Sequence, residues 1–142
     1  MTTGLRHQAR EAALQILYFS EVGGAPPDEA VVAFFSEHRP DASEGVRTFA
    51  RELAVGTAAE AATLDTLVAQ HSQHWRLERL ATIDRLILRM AIWELRHQPD
   101  TPVAVVFDEA LELARTFSTD DSVRFVNGVL DGIRKTLEDA RH

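Results

Sequence analysis

The chain has 142 residues, with 15 basic and 22 acidic side chains, a formal net charge of -7 and no cysteine. This length suits one domain of about 150 residues, and the absence of cysteine excludes disulfides, thiolate catalysis and cysteine-based metal sites. No apolar run approaches the roughly 20 residues that span a bilayer, and the opening sequence MTTGLRHQAR has no hydrophobic signal core. We therefore expect a cytoplasmic protein with no membrane partner.

Apolar residues recur at the 3.6-residue period of an α-helix along almost the whole chain, which predicts an all-α fold of six or seven helices. The first predicted helix spans residues 3–21 and ends at a Gly and Pro break over residues 23–27. A second helix is expected to begin at Asp28 and to end near residues 38–40. A third, long helix is predicted over residues 43–71, with a run of small residues at its middle.

The polar and aromatic residues 71–79 are expected to connect two halves of the fold. A fourth helix follows over residues 80–97, and Leu88, Ile92 and Trp93 lie off its main apolar stripe. Thr101 is expected to cap the next helix.

The last helix is predicted to follow a break at residues 118–122, where Asp120 and Asp121 can cap it. The predicted architecture is a single helical domain over residues 1–142. It consists of an N-terminal bundle of about residues 1–75 and a C-terminal bundle of about residues 76–142.

Charge is distributed unevenly along the chain. The net negative charge argues against non-specific nucleic-acid binding, because that binding depends on neutralising many phosphates. Residues 24–72 carry three basic and eight acidic side chains, and residues 100–142 carry five and nine. Residues 1–23 are neutral, with two of each sign, and residues 73–99 are positive, with five basic and three acidic side chains. Residues 1–23 and 73–99 therefore repel a nucleic acid least.

No pattern supports an enzyme or a cofactor site. The glycines do not have the spacing of a phosphate-binding loop. His71 and His74 could ligate a metal from one helix, but no third ligand lies at a recognisable offset. The carboxylates of helix residues 108–112 could act as acid and base only within a pocket, and a solvated helix face explains them equally well. We predict no catalytic residue, no metal ligand and no cofactor.

Three stretches exceed this background. Two arginines four residues apart share a face of the first helix, and an apolar helix and an apolar C-terminal string follow. The stretches are the start of the first helix with Arg6, His7, Arg10 and Tyr18, the helix of residues 83–95, and residues 107–117 with 122–131.

Together these stretches resemble the NusB family of bacterial transcription antitermination factors. The basic start before residues 9–12 (AREA), the helix of residues 83–95 and the string FVNGVLD at residues 125–131 occur in the family's order and spacing. The resemblance covers nearly the whole chain, and the string at residues 125–131 is its most specific element.

The resemblance implies a fold of two helical bundles and a role without catalysis. Family members bind the boxA element of ribosomal RNA leaders, most effectively together with NusE, a small-subunit ribosomal protein. In this way they help RNA polymerase to read through terminators. We therefore expect boxA RNA, NusE and the RNA polymerase elongation complex as partners.

The resemblance also implies roles for individual residues. The predicted RNA-binding residues are Arg6, His7, Arg10 and Tyr18 of the first helix and Phe117, Asp121 and Phe125 at the junction of the last helices. The predicted NusE-contacting residues are Asp84, Arg85 and Leu88. The family often has a longer run of consecutive basic residues at its start, so we hypothesise that NusE completes the RNA-binding surface. Arg10 is expected to contact RNA and to be dispensable for folding.

Two other interpretations stay open. Similar helical domains precede RNA cytosine methyltransferases, so the chain could be an accessory domain for an RNA-modifying enzyme, with catalysis supplied by another chain. Alternatively it is a self-associating helical scaffold that buries exposed apolar residues such as Trp93 or Phe117 in a homodimer.

Overall fold

A computed structural model describes residues 4–71 and 81–141, with side chains as far as Thr136. All regular structure within these ranges is α-helical, which confirms the predicted fold class. The helices are α1 (Leu5–Gly23), α2 (Pro27–His38), α3 (Glu44–Ala59), α4 (Ala61–His71), α5 (Thr82–His97), α6 (Val103–Phe117) and α7 (Asp120–Arg141). None of these helices is both long and apolar enough to cross a membrane. Most of the predicted connection at residues 71–79, and the predicted helix starts at Thr3 and Leu80, lie outside the described ranges.

The helices form two compact units, residues 1–60 and residues 61–142. In the first unit, α1, α2 and α3 pack against one another. In the second unit, α5 packs against α4, α6 and α7, and α7 also contacts α4 and α6. This grouping differs from the division near residue 75, because α4 packs with α5 and α7. That residues 1–142 form a single domain stays a prediction.

The prediction of one long helix over residues 43–71 is wrong, because the chain turns at Glu60. Glu60 has φ -109° and ψ 17°, and its backbone N–H bonds to the carbonyl oxygens of both Gly56 and Thr57. The four residues before Glu60 are Gly, Thr, Ala and Ala, and glycine and threonine favour the helix less than alanine does. Two helices, α3 and α4, therefore replace the predicted one.

The predicted break after α1 is confirmed. Gly24 adopts a left-handed conformation (φ 82°), and its N–H bonds to the carbonyl oxygen of Ser20 at 2.9 Å. Glycine adopts this conformation without the steric cost of a Cβ atom. The helix therefore ends two residues after the predicted position, and Pro27 begins α2.

The connection between α2 and α3 is held by Arg47 of α3. Its guanidinium donates to the carbonyl oxygens of Arg39, Pro40 and Ala42 at 3.3, 2.6 and 3.0 Å. The same group lies 5.1 Å from the centre of the Phe35 ring. These carbonyl groups lie in the connection after α2, so one side chain satisfies several of its backbone acceptors.

Two predicted helix caps are wrong. Thr101 does not cap α6, whose N-cap is Pro102 and has no side-chain cap hydrogen bond. At α7, Thr119 is the capping residue, since its Oγ1 accepts a hydrogen bond from the Ser122 N–H at 3.1 Å. Asp120 lies instead in the first turn of α7, where the helix dipole favours an acidic side chain.

A paired charge joins α4 to α5 in the second unit. The Arg89 guanidinium donates to the two carboxylate oxygens of Asp65, Nε to Oδ1 at 2.6 Å and Nη2 to Oδ2 at 2.6 Å. The side chain of Arg89 is only 11% exposed. A bidentate ion pair that is largely shielded from water stabilises the fold more than a solvent-exposed ion pair does.

We predict that Arg89→Ala lowers the free energy of unfolding by about 2 to 3 kcal/mol, because it leaves the partly buried Asp65 carboxylate without its partner. Arg115→Ala is the matched control, since Arg115 pairs with Glu112 on an exposed helix face. The control should change stability by less than about 0.5 kcal/mol. Equal losses in urea denaturation of the two variants would contradict this account of the Asp65 pair.

Candidate nucleic-acid interface

The exposed basic residue at the start of α1 is Arg6. Its guanidinium lies over the face of the Phe49 ring of α3, 4.1 Å from the ring centre. Within the described part of the chain, this guanidinium has no hydrogen-bond or ion-pair partner. The five N–H donors of arginine are therefore available to a ligand.

Arg10 lies on the same face of α1 but is buried, with 4% of its surface exposed. Its guanidinium is 5.6 Å from the centre of the same Phe49 ring. A buried charge is tolerated only where it is compensated, and Arg10 does have partners in the fold. The burial of Arg10 argues against the expectation that it is dispensable for folding, because the residue is part of the packing between α1 and α3.

The other two predicted RNA-binding residues of α1 are partly exposed. His7 lies 3.4 Å from Glu11, measured from Nε2 to Oε1, one turn further along the helix. Tyr18 contacts the neighbouring Phe19 edge to face, with ring centres 6.2 Å apart. Tyr18 is separated from Arg6 by about three turns of helix, so α1 does not gather all four residues at one point. Their contacts with RNA stay predictions.

The remaining predicted RNA-binding residues lie at the junction of α6 and α7, in the second unit. Phe117 is the last residue of α6 and is partly exposed, as is Phe125 in the second turn of α7. Asp121 lies between them, 88% exposed, in an ion pair with Arg124. The junction thus presents two aromatic side chains and a solvated carboxylate, and their binding to RNA stays a prediction.

Asp84 is a buried residue of the second unit that is hydrogen-bonded to this junction. Its side chain is 6% exposed, and each carboxylate oxygen accepts a hydrogen bond at 2.7 Å, Oδ1 from the hydroxyl of Ser118 and Oδ2 from that of Ser122. Asp84 is therefore wrong as a surface contact for a partner. It ties the first turn of α5 to the two residues that flank the start of α7.

The hydroxyl partners of Asp84 were not singled out by the sequence. Ser118 and Ser122 lie four residues apart across the predicted helix break, together with Thr119, whose hydroxyl donates to Ser122 Oγ at 3.1 Å. A cluster of hydroxyl residues at a break is the available signal, but it is equally typical of a simple helix cap. Phe49 was likewise not singled out by the sequence.

The structure corrects the other residues proposed for protein contacts. Leu88 is completely buried, so it is a core residue and not a NusE contact. Trp93 is also buried, with its ring 4.9 Å from that of His97, and is wrong as an exposed dimer contact. Both errors have one cause, since α5 packs against three helices and buries more than one face. Arg85 is partly exposed and remains a predicted partner contact.

Among the described residues, the metal and acid–base candidates of the sequence do not come together in a site. His74 lies outside the described residues. His71 Nε2 is 3.3 Å from Thr136 Oγ1, and its Nδ1 is buried with no hydrogen-bond partner among the described residues. No group of three or more potential metal ligands is found in the described ranges. On α6, Asp108 is exposed, and Glu112 pairs with Arg115. These side chains lie on a solvated helix face.

Comparison with known proteins decides the family. The model of the NusB family matches residues 7–135. A relative from Sorangium cellulosum, named transcription antitermination protein NusB, is 45% identical over 134 residues, which are 94% of this chain and 94% of the relative. The chain belongs to the NusB family.

Solved structures agree with this membership of the NusB family. NusB of T. maritima is 31% identical, with a TM-score of 0.79, and the match covers 95% of this chain and 93% of that one. A crystal structure of the antitermination factors NusB and NusE in complex with double-stranded RNA matches with a TM-score of 0.84. That match covers 93% of this chain and 97% of the other at 24% identity, so it supports the shared fold alone.

We predict that Arg10→Ala destabilises this NusB-family protein by about 2 to 3 kcal/mol, because it removes a buried side chain and leaves its partners uncompensated. Arg6→Ala, four residues earlier on the same face, is the control and should change stability by less than about 1 kcal/mol. Thermal denaturation measures both variants. A melting temperature for Arg10→Ala equal to that of the wild type would show that its burial contributes nothing to stability.

We further predict that Asp84→Ala lowers the free energy of unfolding by about 2 to 3 kcal/mol, since it removes the buried carboxylate that accepts from both Ser118 and Ser122. Asp100→Ala, at an exposed acidic position, should be nearly neutral. A double-mutant cycle with Ser122→Ala should give a coupling energy above about 0.5 kcal/mol. Additive effects of Asp84→Ala and Ser122→Ala on the free energy of unfolding would contradict a stabilising hydrogen bond between these two side chains.

Proposed function

We propose that the protein is a non-catalytic transcription antitermination factor. In this proposal it binds the boxA element of ribosomal RNA leaders together with NusE and promotes read-through by RNA polymerase in the cytoplasm. The observation that carries the proposal is the family match over residues 7–135, with relatives that are named for antitermination. A solved complex of NusB, NusE and double-stranded RNA contains a chain of the same fold, and the proposal extends NusE and RNA as partners to this chain.

The distribution of charge is consistent with this role. An acidic protein can bind single-stranded RNA if a few arginines contact phosphates and aromatic rings stack on bases. The first unit offers a basic and an aromatic group, Arg6 with His7 and Tyr18, and the second unit offers two aromatic rings, Phe117 and Phe125. The exposed Asp121 opposes phosphate binding at the junction, so a partner that adds positive charge would strengthen binding.

Two features argue against the alternatives. The chain has no cysteine, so a cysteine-dependent RNA methyltransferase activity would require another chain. The buried position of Trp93 removes one of the two residues on which the self-associating scaffold was based. Neither alternative has a specific observation in its favour.

We predict that NusE increases the affinity of this protein for boxA RNA by about tenfold or more. A protein with a net charge of -7 makes few phosphate contacts, and NusE would add more. Each tenfold gain in affinity corresponds to about 1.4 kcal/mol. Fluorescence anisotropy with labelled boxA RNA, at several salt concentrations, measures the affinity with and without NusE. A scrambled RNA of the same composition is the control.

Equal affinity with and without NusE would contradict the cooperative part of the proposal. Equal affinity of the protein–NusE pair for boxA and scrambled RNA would contradict boxA recognition itself.

A further inference from the structure

Phe49 contacts the two arginines of α1 that were predicted to bind RNA, although it is itself buried in α3. Its ring centre is 4.1 Å from the Arg6 guanidinium carbon and 5.6 Å from that of Arg10. The ring is 7% exposed, so its position is fixed by the packing of α3. The two guanidinium groups differ in that Arg10 is buried and Arg6 is exposed.

We propose that Phe49 is a positioning residue for RNA binding, which holds the Arg6 guanidinium flat so that its N–H edge can engage a phosphate of single-stranded RNA. This inference rests on the proposed function and assigns a role to a residue that does not itself touch the RNA. Phe49 acts only through Arg6.

The geometry favours an external anion over an internal partner for Arg6. Glu44 and Glu52 line the same groove as Arg6, yet among the described residues no carboxylate forms an ion pair with it. The guanidinium carbon lies over the Phe49 ring, 4.1 Å from its centre, and the N–H groups extend outward from that carbon. A planar guanidinium can bind a phosphate through two of these N–H groups while its face stacks on an aromatic ring.

The ring also lowers the cost of binding. A free arginine side chain loses rotamer freedom when it binds a ligand, and a side chain that is already held loses less. Arg10 adds a second positive charge beside the same ring, and the first turn of α1 contains no acidic residue. Arg10 and the N-terminus of α1 therefore favour a phosphate at Arg6, while Glu44 and Glu52 in the same groove oppose it.

The test is a double-mutant cycle on RNA affinity, measured with boxA RNA and saturating NusE. Phe49→Leu removes the aromatic face and should weaken binding about two- to fivefold, the range expected from a cation–π contact. Arg6→Ala should also weaken binding and should reduce the slope of log affinity against log salt by about 0.7, as for one lost phosphate contact. The double variant should bind no more weakly than Arg6→Ala alone.

Two conservative variants complete the design. Phe49→Tyr keeps the aromatic face and should bind RNA as the wild type does. Arg6→Lys keeps the charge and leaves the core untouched, but it loses the flat stacking group, so it should reproduce the loss of Phe49→Leu. If Phe49→Leu fails to fold, which thermal denaturation reveals, Arg6→Lys still tests whether a planar guanidinium is required at this position.

Additive effects of Arg6→Ala and Phe49→Leu would overturn the inference, because Phe49 would then act through the fold and not through Arg6. Wild-type affinity of Arg6→Lys would overturn it too. In both cases the wild-type protein would still discriminate boxA from scrambled RNA. Loss of that discrimination in the wild type would instead mean failure of the proposed function itself.

Discussion

The need to compensate a buried charge shapes both regions that are proposed to bind RNA. Removing a charged group from water is costly unless partners replace the lost hydration. Arg10 meets this requirement between α1 and α3, beside the ring of Phe49, and Asp84 meets it with the hydroxyls of Ser118 and Ser122. Each buried charge fixes the backbone that carries an exposed neighbour, Arg6 in the first unit and the α6–α7 junction in the second. The exposed residues that are proposed to bind RNA thus lie on backbone that these buried charges hold in place.

This arrangement explains how a protein with a net charge of -7 can be adapted to RNA. Affinity that came from bulk charge would require many exposed basic residues. A single guanidinium held in place by a ring needs fewer, because less of its binding free energy is lost to ordering the side chain. With so few phosphate contacts, the protein alone should bind RNA with low affinity, which agrees with the proposed dependence on NusE.

The fold was largely predictable from the sequence, and the site was predictable only in part. Helical periodicity is local, so it predicted the helices well. Periodicity did not reveal the break at Glu60, which follows a run of small residues. Residue type did not reveal that α6 begins at Pro102 without a side-chain cap. The burial of Leu88 and Arg10 depends on helices distant in sequence, which periodicity along one helix cannot report.

The central claim is that Arg6 and Arg10, although they share one face and one aromatic partner, have different roles. Reaction with an arginine-selective dicarbonyl reagent, followed by mass spectrometry, tests this directly on the wild-type protein. The account predicts that Arg6 reacts rapidly and is protected when boxA RNA and NusE are added, while Arg10 reacts slowly in both states. Rapid reaction of Arg10 in the free protein, or an Arg6 that RNA and NusE leave unprotected, would contradict it.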